Sequence, residues 1–152
     1  MKYQLKRTQQ LYTDLKSAWD FFSLAHNLSK ITPKDMNFRV MSDVGEIPIY
    51  EGMTIDYKVS PLLGISMNWQ TEIIKVEHQK LFVDFQKKGP YKIWHHLHEF
   101  EENENGVLMT DTVDYELPFG MFGNWVNHLI VRKKLDKIFK YRKKVLDEKW
   151  VF

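Results

Sequence analysis

One change of period governs what this chain can become. From Gly52 to Leu117 apolar residues fall on alternate positions; from about Phe122 to Trp150 they recur every third or fourth. Alternation gathers side chains on one face of a strand, and the longer period gathers them on one stripe of a helix. The first region divides into strands. Ile55, Tyr57 and Val59 alternate with Thr54, Asp56 and Lys58, and Trp69, Thr71 and Ile73 alternate with Gln70 and Glu72. Phe82 to Gln86 ends at Gly89-Pro90, and Ile93 to Glu101 ends at Asn103-Glu104-Asn105-Gly106. Val107 to Leu117 closes at Pro118 and Gly120. Asn-Gly favours a hairpin because both residues tolerate positive φ. Turns this short predict an antiparallel meander.

The helical region places Val131, Leu135, Ile138 and Val145 on one stripe, broadened by Phe139 and Leu146. A helix of about 30 residues is about 45 Å long, enough to cross the sheet. Its stripe needs a surface to cover, and the sheet needs a lid. A coiled-coil partner ranks lower, because the stripe spans too few heptads. Ahead of the meander, Tyr3, Leu5 and Leu11 sit at even spacings, which predicts a half-exposed strand. The period then changes: Leu15, Ala18, Trp19 and Phe22 predict a short helix with Asp14 as N-cap. A second helical piece runs through Leu24, Leu28 and Ile31 to Pro33, which disfavours helix at the residue before it. Ser42 to Gly52 holds Gly45, Pro48 and Gly52 and reads as a loop.

The predicted class is therefore α+β: strand, two short helices, curved antiparallel sheet, long C-terminal helix. A length of 152 residues favours one domain, residues 1–152. Aromatics make up 14% of the chain, which suits a dense core or an interior that lines a ligand site. A net charge of +2 is too small to make the whole protein a polyanion binder. The absence of cysteine excludes disulfides, thiol catalysis and thiolate zinc. Neither a signal-peptide run nor a stretch long enough to span a bilayer stands out, so a soluble cytoplasmic protein is expected.

At this point the chain resembles the START/polyketide-cyclase-like ligand-binding superfamily, which includes the birch-pollen-allergen fold. The residues that carry the likeness are Gly89-Pro90-Tyr91 with Trp94, His96, His98 and Phe100, then Asp111, Val113, Tyr115, Pro118 and Gly120. It resembles a branch near the coenzyme-Q-binding START-like proteins. The resemblance implies a helix-grip fold and a small hydrophobic ligand such as a lipid, quinone or polyketide. It supplies no fixed catalytic residues, and no cofactor is expected.

The strand faces point to a site. Trp94, His96, His98 and Phe100 share one face of their strand; Met109, Asp111, Val113 and Tyr115 share one face of the next, and Phe82, Asp84 and Gln86 one face of the previous strand. If the turn centres on Glu104-Asn105, His98 lies opposite Asp111 and Phe100 opposite Met109. If the other centres on Gly89-Pro90, His96 lies opposite Asp84. Opposed residues have Cβ atoms about 4.5–5.5 Å apart. Three readings follow for the His/Asp set: a structural hydrogen-bonded network, a group that orients a ligand, and catalysis or metal binding. No nucleophile elbow and no HExxH motif is present, so a metal is not expected.

Tyr57, Trp69, Phe82, Trp94, Phe100 and Tyr115 are expected to face the interior, with Met109, Met121 and Phe122 near its mouth. The turn from Pro118 to Gly123 and the loop from Ser42 to Gly52 are the expected gates. Lys133, Lys137, Lys140 and Lys144 form a basic helix face, with Arg132, Lys134, Arg142 and Lys143 adding charge. A solvated face is the first reading. Docking to an anionic membrane or to a ribosome is the sharper one. No nucleic-acid motif is present. The sequence leaves the oligomeric state open.

Overall fold

The computed structural model describes residues 2–61, 64–118 and 120–151, with all their side chains but those of 121, 123 and 128. Strand β1 (Lys2–Leu11) leads into helix α1 (Leu15–Phe22). Asp14 caps α1, accepting a hydrogen bond from the Ser17 N–H at 2.8 Å. The second helical piece, Ala25–Ile31, is a 3-10 helix. A further 3-10 turn, Lys34–Met36, starts directly after Pro33. The meander follows: β2 (Arg39–Val40), β3 (Thr54–Val59), β4 (Met67–Glu77), β5 (Leu81–Lys88), β6 (Ile93–Asn103) and β7 (Gly106–Glu116). Together these make a seven-stranded sheet in the order β1-β7-β6-β5-β4-β3-β2, each neighbour antiparallel.

Turn chemistry and bulges set register and curvature. Asn103 pairs with Gly106 across the β6–β7 turn, and Gly106 takes φ +125°. A Cβ there would stand 2.4 Å from the Leu11 carbonyl, so glycine is required by space as well as by φ. At the β5–β6 turn Gln86 donates to the Tyr91 carbonyl at 2.7 Å. Gly89 lies against that same amide, where a Cβ would fall 2.4 Å from its Oε1. Register shifts between Gln70 and Thr71 and between Ile73 and Lys75 bend β4 over β5.

The C-terminal run is not the single helix that its period predicts. It passes through a 3-10 turn (Gly120–Phe122), a short α2 (Gly123–Val126) and a π segment (Asn127–Val131) before α3 (Arg132–Lys149). In the π segment the Arg132 N–H reaches back to the Asn127 carbonyl. Asn127 is buried there, and its side-chain oxygen accepts from the Tyr115 hydroxyl at 2.7 Å. At about 1.5 Å per residue, α3 is about 27 Å long.

Burial shows which stripe of α3 meets the sheet. Val131, Leu135, Phe139 and Leu146 are buried, while Ile138 and Val145 are half-buried at its edge. Leu135 and Phe139 pack with Leu5, Trp94, Val113 and Tyr115, and Leu146 packs with Leu11, Trp19 and Met109. Arg142 corrects the basic-face assignment. It is 7% exposed and completes the buried stripe, whereas Lys133, Lys137, Lys140 and Lys144 are exposed. Among the described residues no helix is long and apolar enough to cross a membrane.

Candidate functional site

Alternation along β6 turns Trp94, His96, His98 and Phe100 inward, and all four are buried. The register is the one that the turns predict: His98 opposite Asp111, Phe100 opposite Met109 and His96 opposite Asp84. The hydrogen bonds, however, run diagonally. His96 Nε2 donates to Asp111 Oδ1 at 2.8 Å, and His98 Nε2 donates to Asp84 Oδ2 at 2.7 Å. The other nitrogen of each ring faces the other carboxylate. His96 Nδ1 stands 3.6 Å from Asp84 Oδ2, and His98 Nδ1 stands 2.9 Å from Asp111 Oδ1 without hydrogen-bonding to it. The two imidazoles, tilted by 31° with centroids 3.7 Å apart, thus lie side by side between two carboxylates.

The charges divide unevenly. Burial alone would raise both aspartates, but His96 and His98 hold Asp84 and Asp111 below the ordinary carboxylate range. An ionised carboxylate can only accept, so Nε2 of each ring carries a hydrogen. Burial and the neighbouring His98 push His96 down, leaving it neutral more readily. Burial also opposes charge on His98, yet Asp111 and Asp84 outweigh it and raise this histidine. Of the two rings, His98 is therefore the one whose surroundings favour a positive charge. Arg142 adds a second, its Nη1 3.7 Å from Asp111 Oδ1 and its guanidinium 4.9 Å over the Phe139 ring. Among the described residues nothing accepts the Arg142 Nε–H.

Beside this cluster lies a cavity of about 170 Å³ between the sheet and α3. Of the residues singled out from sequence, Tyr57, Trp69, Phe82, Asp84, Trp94, His96 and His98 line it. The other four do not. Met109 packs in the core with Leu11 and Trp19. Asp111 sits behind the imidazoles, joined to His96. Tyr115 packs against Leu5 and Val131 and spends its hydroxyl on Asn127. Phe122 is 75% exposed on the first turn of the C-terminal run. The Met121 side chain lies outside the described ones. Of the two expected gates, the loop at 42–52 contributes Ile49, and the turn at 118–123 contributes none of its described side chains.

Arg142, Met36 and Lys134 are among the cavity-lining residues that sequence reasoning did not place in the site. Arg142 enters the cavity wall from α3, and its spacing from Leu135, Phe139 and Leu146 was the available signal. Met36 and Lys134 border the cavity from opposite elements. Asp35 ties these elements together, accepting from Lys137 at 2.7 Å and Lys134 at 3.1 Å. Both ammonium groups hold the Asp35 carboxyl below its ordinary value.

A sheet wrapped on one long C-terminal helix, with short helices between the first two strands, decides the architecture. This is the helix-grip fold. No protein-family model matches the chain, and no curated protein matches it. Solved structures do. A ginseng major latex-like protein from Panax ginseng superposes with a TM-score of 0.71 at 12% identity, covering 100% of this chain and 99% of that one. A protein from Mycobacterium smegmatis gives 0.68 at 15% identity, covering 96% and 92%. A protein of unknown function from Staphylococcus aureus gives 0.68 at 12% identity, covering 98% and 96%. At these identities the likeness establishes the helix-grip fold and leaves ligand and chemistry to the site itself.

Proposed function

We propose that this protein binds or carries a small, largely apolar molecule in the cavity between the sheet and α3, acting in the cytoplasm. The observation that supports this reading is the cavity itself. It measures about 170 Å³ and is walled by Ile55, Tyr57, Trp69, Trp94, Leu135 and Phe139. Interiors are normally close-packed, with few voids larger than a water molecule. An apolar cavity of about 150 Å³ takes up benzene, so this one accepts a single ring or a short chain as it stands. A lipid, a quinone or a polyketide-like molecule requires it to widen. The polar groups Asp84, His96, His98 and Arg142 orient the bound molecule.

A second reading is a cyclase- or hydrolase-type enzyme. It rests on His96, a neutral imidazole held by a carboxylate on the cavity wall, which is the form a general base takes. Docking to an anionic membrane draws on exposed Phe122 and Trp125, which share the C-terminal run with the exposed Lys133 and Lys137.

Native mass spectrometry of protein purified from its own organism tests the main reading. An apolar molecule retained at one per chain is the expected result. Protein that emerges without any bound molecule, and that no one-ring apolar compound stabilises against heat, would overturn it.

A further inference from the structure

The His/Asp cluster has the form of a cation site, though no local motif in the sequence announces one. Asp84, His96 and His98 each present one ligand atom to the same point, and these atoms lie within 4.8 Å of one another. Donor atoms bonded at about 2.0–2.2 Å to one cation stand roughly 3–3.5 Å apart. Here Asp84 Oδ2 is 3.6 Å from His96 Nδ1 and 2.7 Å from His98 Nε2, which brackets that spacing. Of the distal nitrogens, that of His96 is hydrogen-bonded to a carboxylate as in a metal site, and that of His98 stands close to the same oxygen. His96 Nε2 and His98 Nδ1 both turn to Asp111 Oδ1, at 2.8 and 2.9 Å. A carboxylate behind the far nitrogen of a ligating histidine fixes its tautomer and raises its basicity.

One local contact is unfavourable in the chain by itself. With Nε2–H given to Asp111, His96 Nδ1 is a lone pair facing a carboxylate oxygen across 3.6 Å, acceptor against acceptor. A cation between Asp84 and the two imidazoles removes that repulsion. It takes up the His96 lone pair, and it displaces the Nε2 proton of His98, so that this ring donates from Nδ1 to Asp111.

We propose that Asp84, His96 and His98 form a binding site for a divalent first-row transition cation, such as Zn²⁺ or Co²⁺, with Asp111 as the carboxylate that positions both histidines. Two imidazoles and one carboxylate are borderline donors, which suit these ions better than Mg²⁺, Ca²⁺ or Cu⁺. All three ligating residues line the cavity, so the remaining coordination positions face it. Asp84 and Asp111 balance the double charge of the cation. Arg142 then draws an anionic donor to the open position. The site needs no apolar ligand, and it stands or falls separately from the carrier reading.

The test uses the full-length, tag-free chain stripped with chelator. Titration with CoCl₂ should give visible d–d bands that saturate at one ion per chain. Zn²⁺ should displace them. Asp84→Asn and His98→Gln should each weaken binding about tenfold or more, the scale on which even the outer partners of a metal site act. Because a variant of a buried cluster can fail to fold, the wild type supplies an independent readout. Bound Co²⁺ should shift the imidazole proton resonances of His96 and His98 far outside the diamagnetic range, while histidines outside the cluster keep theirs. Absence of saturable binding would overturn the proposal, as would binding that leaves the His96 and His98 resonances in place.

Discussion

Asp111 is the residue on which the buried charges turn. It accepts from His96, lies 2.9 Å from His98 Nδ1 and is the carboxylate nearest Arg142, all with little exposure. Removing one partner of a buried ion pair leaves the other charge uncompensated, at a cost of about 3–5 kcal/mol. Asp111→Asn should therefore lower the unfolding free energy by about that amount in urea denaturation. Adding Arg142→Met should recover part of the loss, since the two share one interaction. Independent, additive losses would show that Arg142 does not depend on Asp111. These residues differ in how far the sequence exposes them. Alternation in β6 and the two turns place His96, His98, Asp84 and Asp111 correctly on facing strands. The diagonal choice of partner is not legible, because opposed and diagonal neighbours both lie within reach of a histidine ring and rotamers decide between them. Arg142 escapes for another reason: a charged residue on a helix is ordinarily solvated, and only its counter-charge on a distant strand reverses that expectation.

At the level of elements, the β6–β7 hairpin is the most legible part. Its Asn-Gly turn and its alternation agree, and the observed pairing follows both. The C-terminal run is less so. Apolar spacing says that a helix is present but not that it passes through a π segment at Asn127, since that depends on the Tyr115 hydroxyl from another element. A tertiary contact of the same kind ties the 3-10 turn Lys34–Met36 to α3, where Asp35 holds Lys134 and Lys137 beside the cavity. The contact is partly exposed, so its share of stability is small, under about 1 kcal/mol. Its effect belongs to the opening of the cavity. Asp35→Asn should speed release of a bound probe in stopped-flow fluorescence, with little change in melting temperature. Acid should do the same to the wild type. A carboxylate whose folded value is lowered keeps its contact above its ordinary value, about 3.9, and loses it as pH falls through the lowered one. Release rates that ignore both the substitution and acid would show that this clasp does not limit exit.

For the whole molecule, the order of elements was enough to predict a sheet wrapped on a helix, because each has one apolar face and the other is its available cover. The hollow between them was legible only as a consequence of shape. Its dimensions come from side chains of seven or more elements and from the bend of β4 over β5, none of which a local pattern encodes. The account's central claim is that this hollow holds an apolar molecule, and it can be tested by filling it. Ile138 is half-buried on α3 and lines the cavity, so a phenyl ring at this position has space to enter. Titration of wild type and Ile138→Phe with a one-ring apolar compound, followed by tryptophan fluorescence, measures the claim directly, since Trp69 and Trp94 stand in the wall. The account predicts saturable quenching at one molecule per chain in the wild type. In the variant it predicts that quenching is lost or greatly weakened while the melting temperature is kept. Equal quenching in both proteins, or no saturable quenching in the wild type, would contradict it.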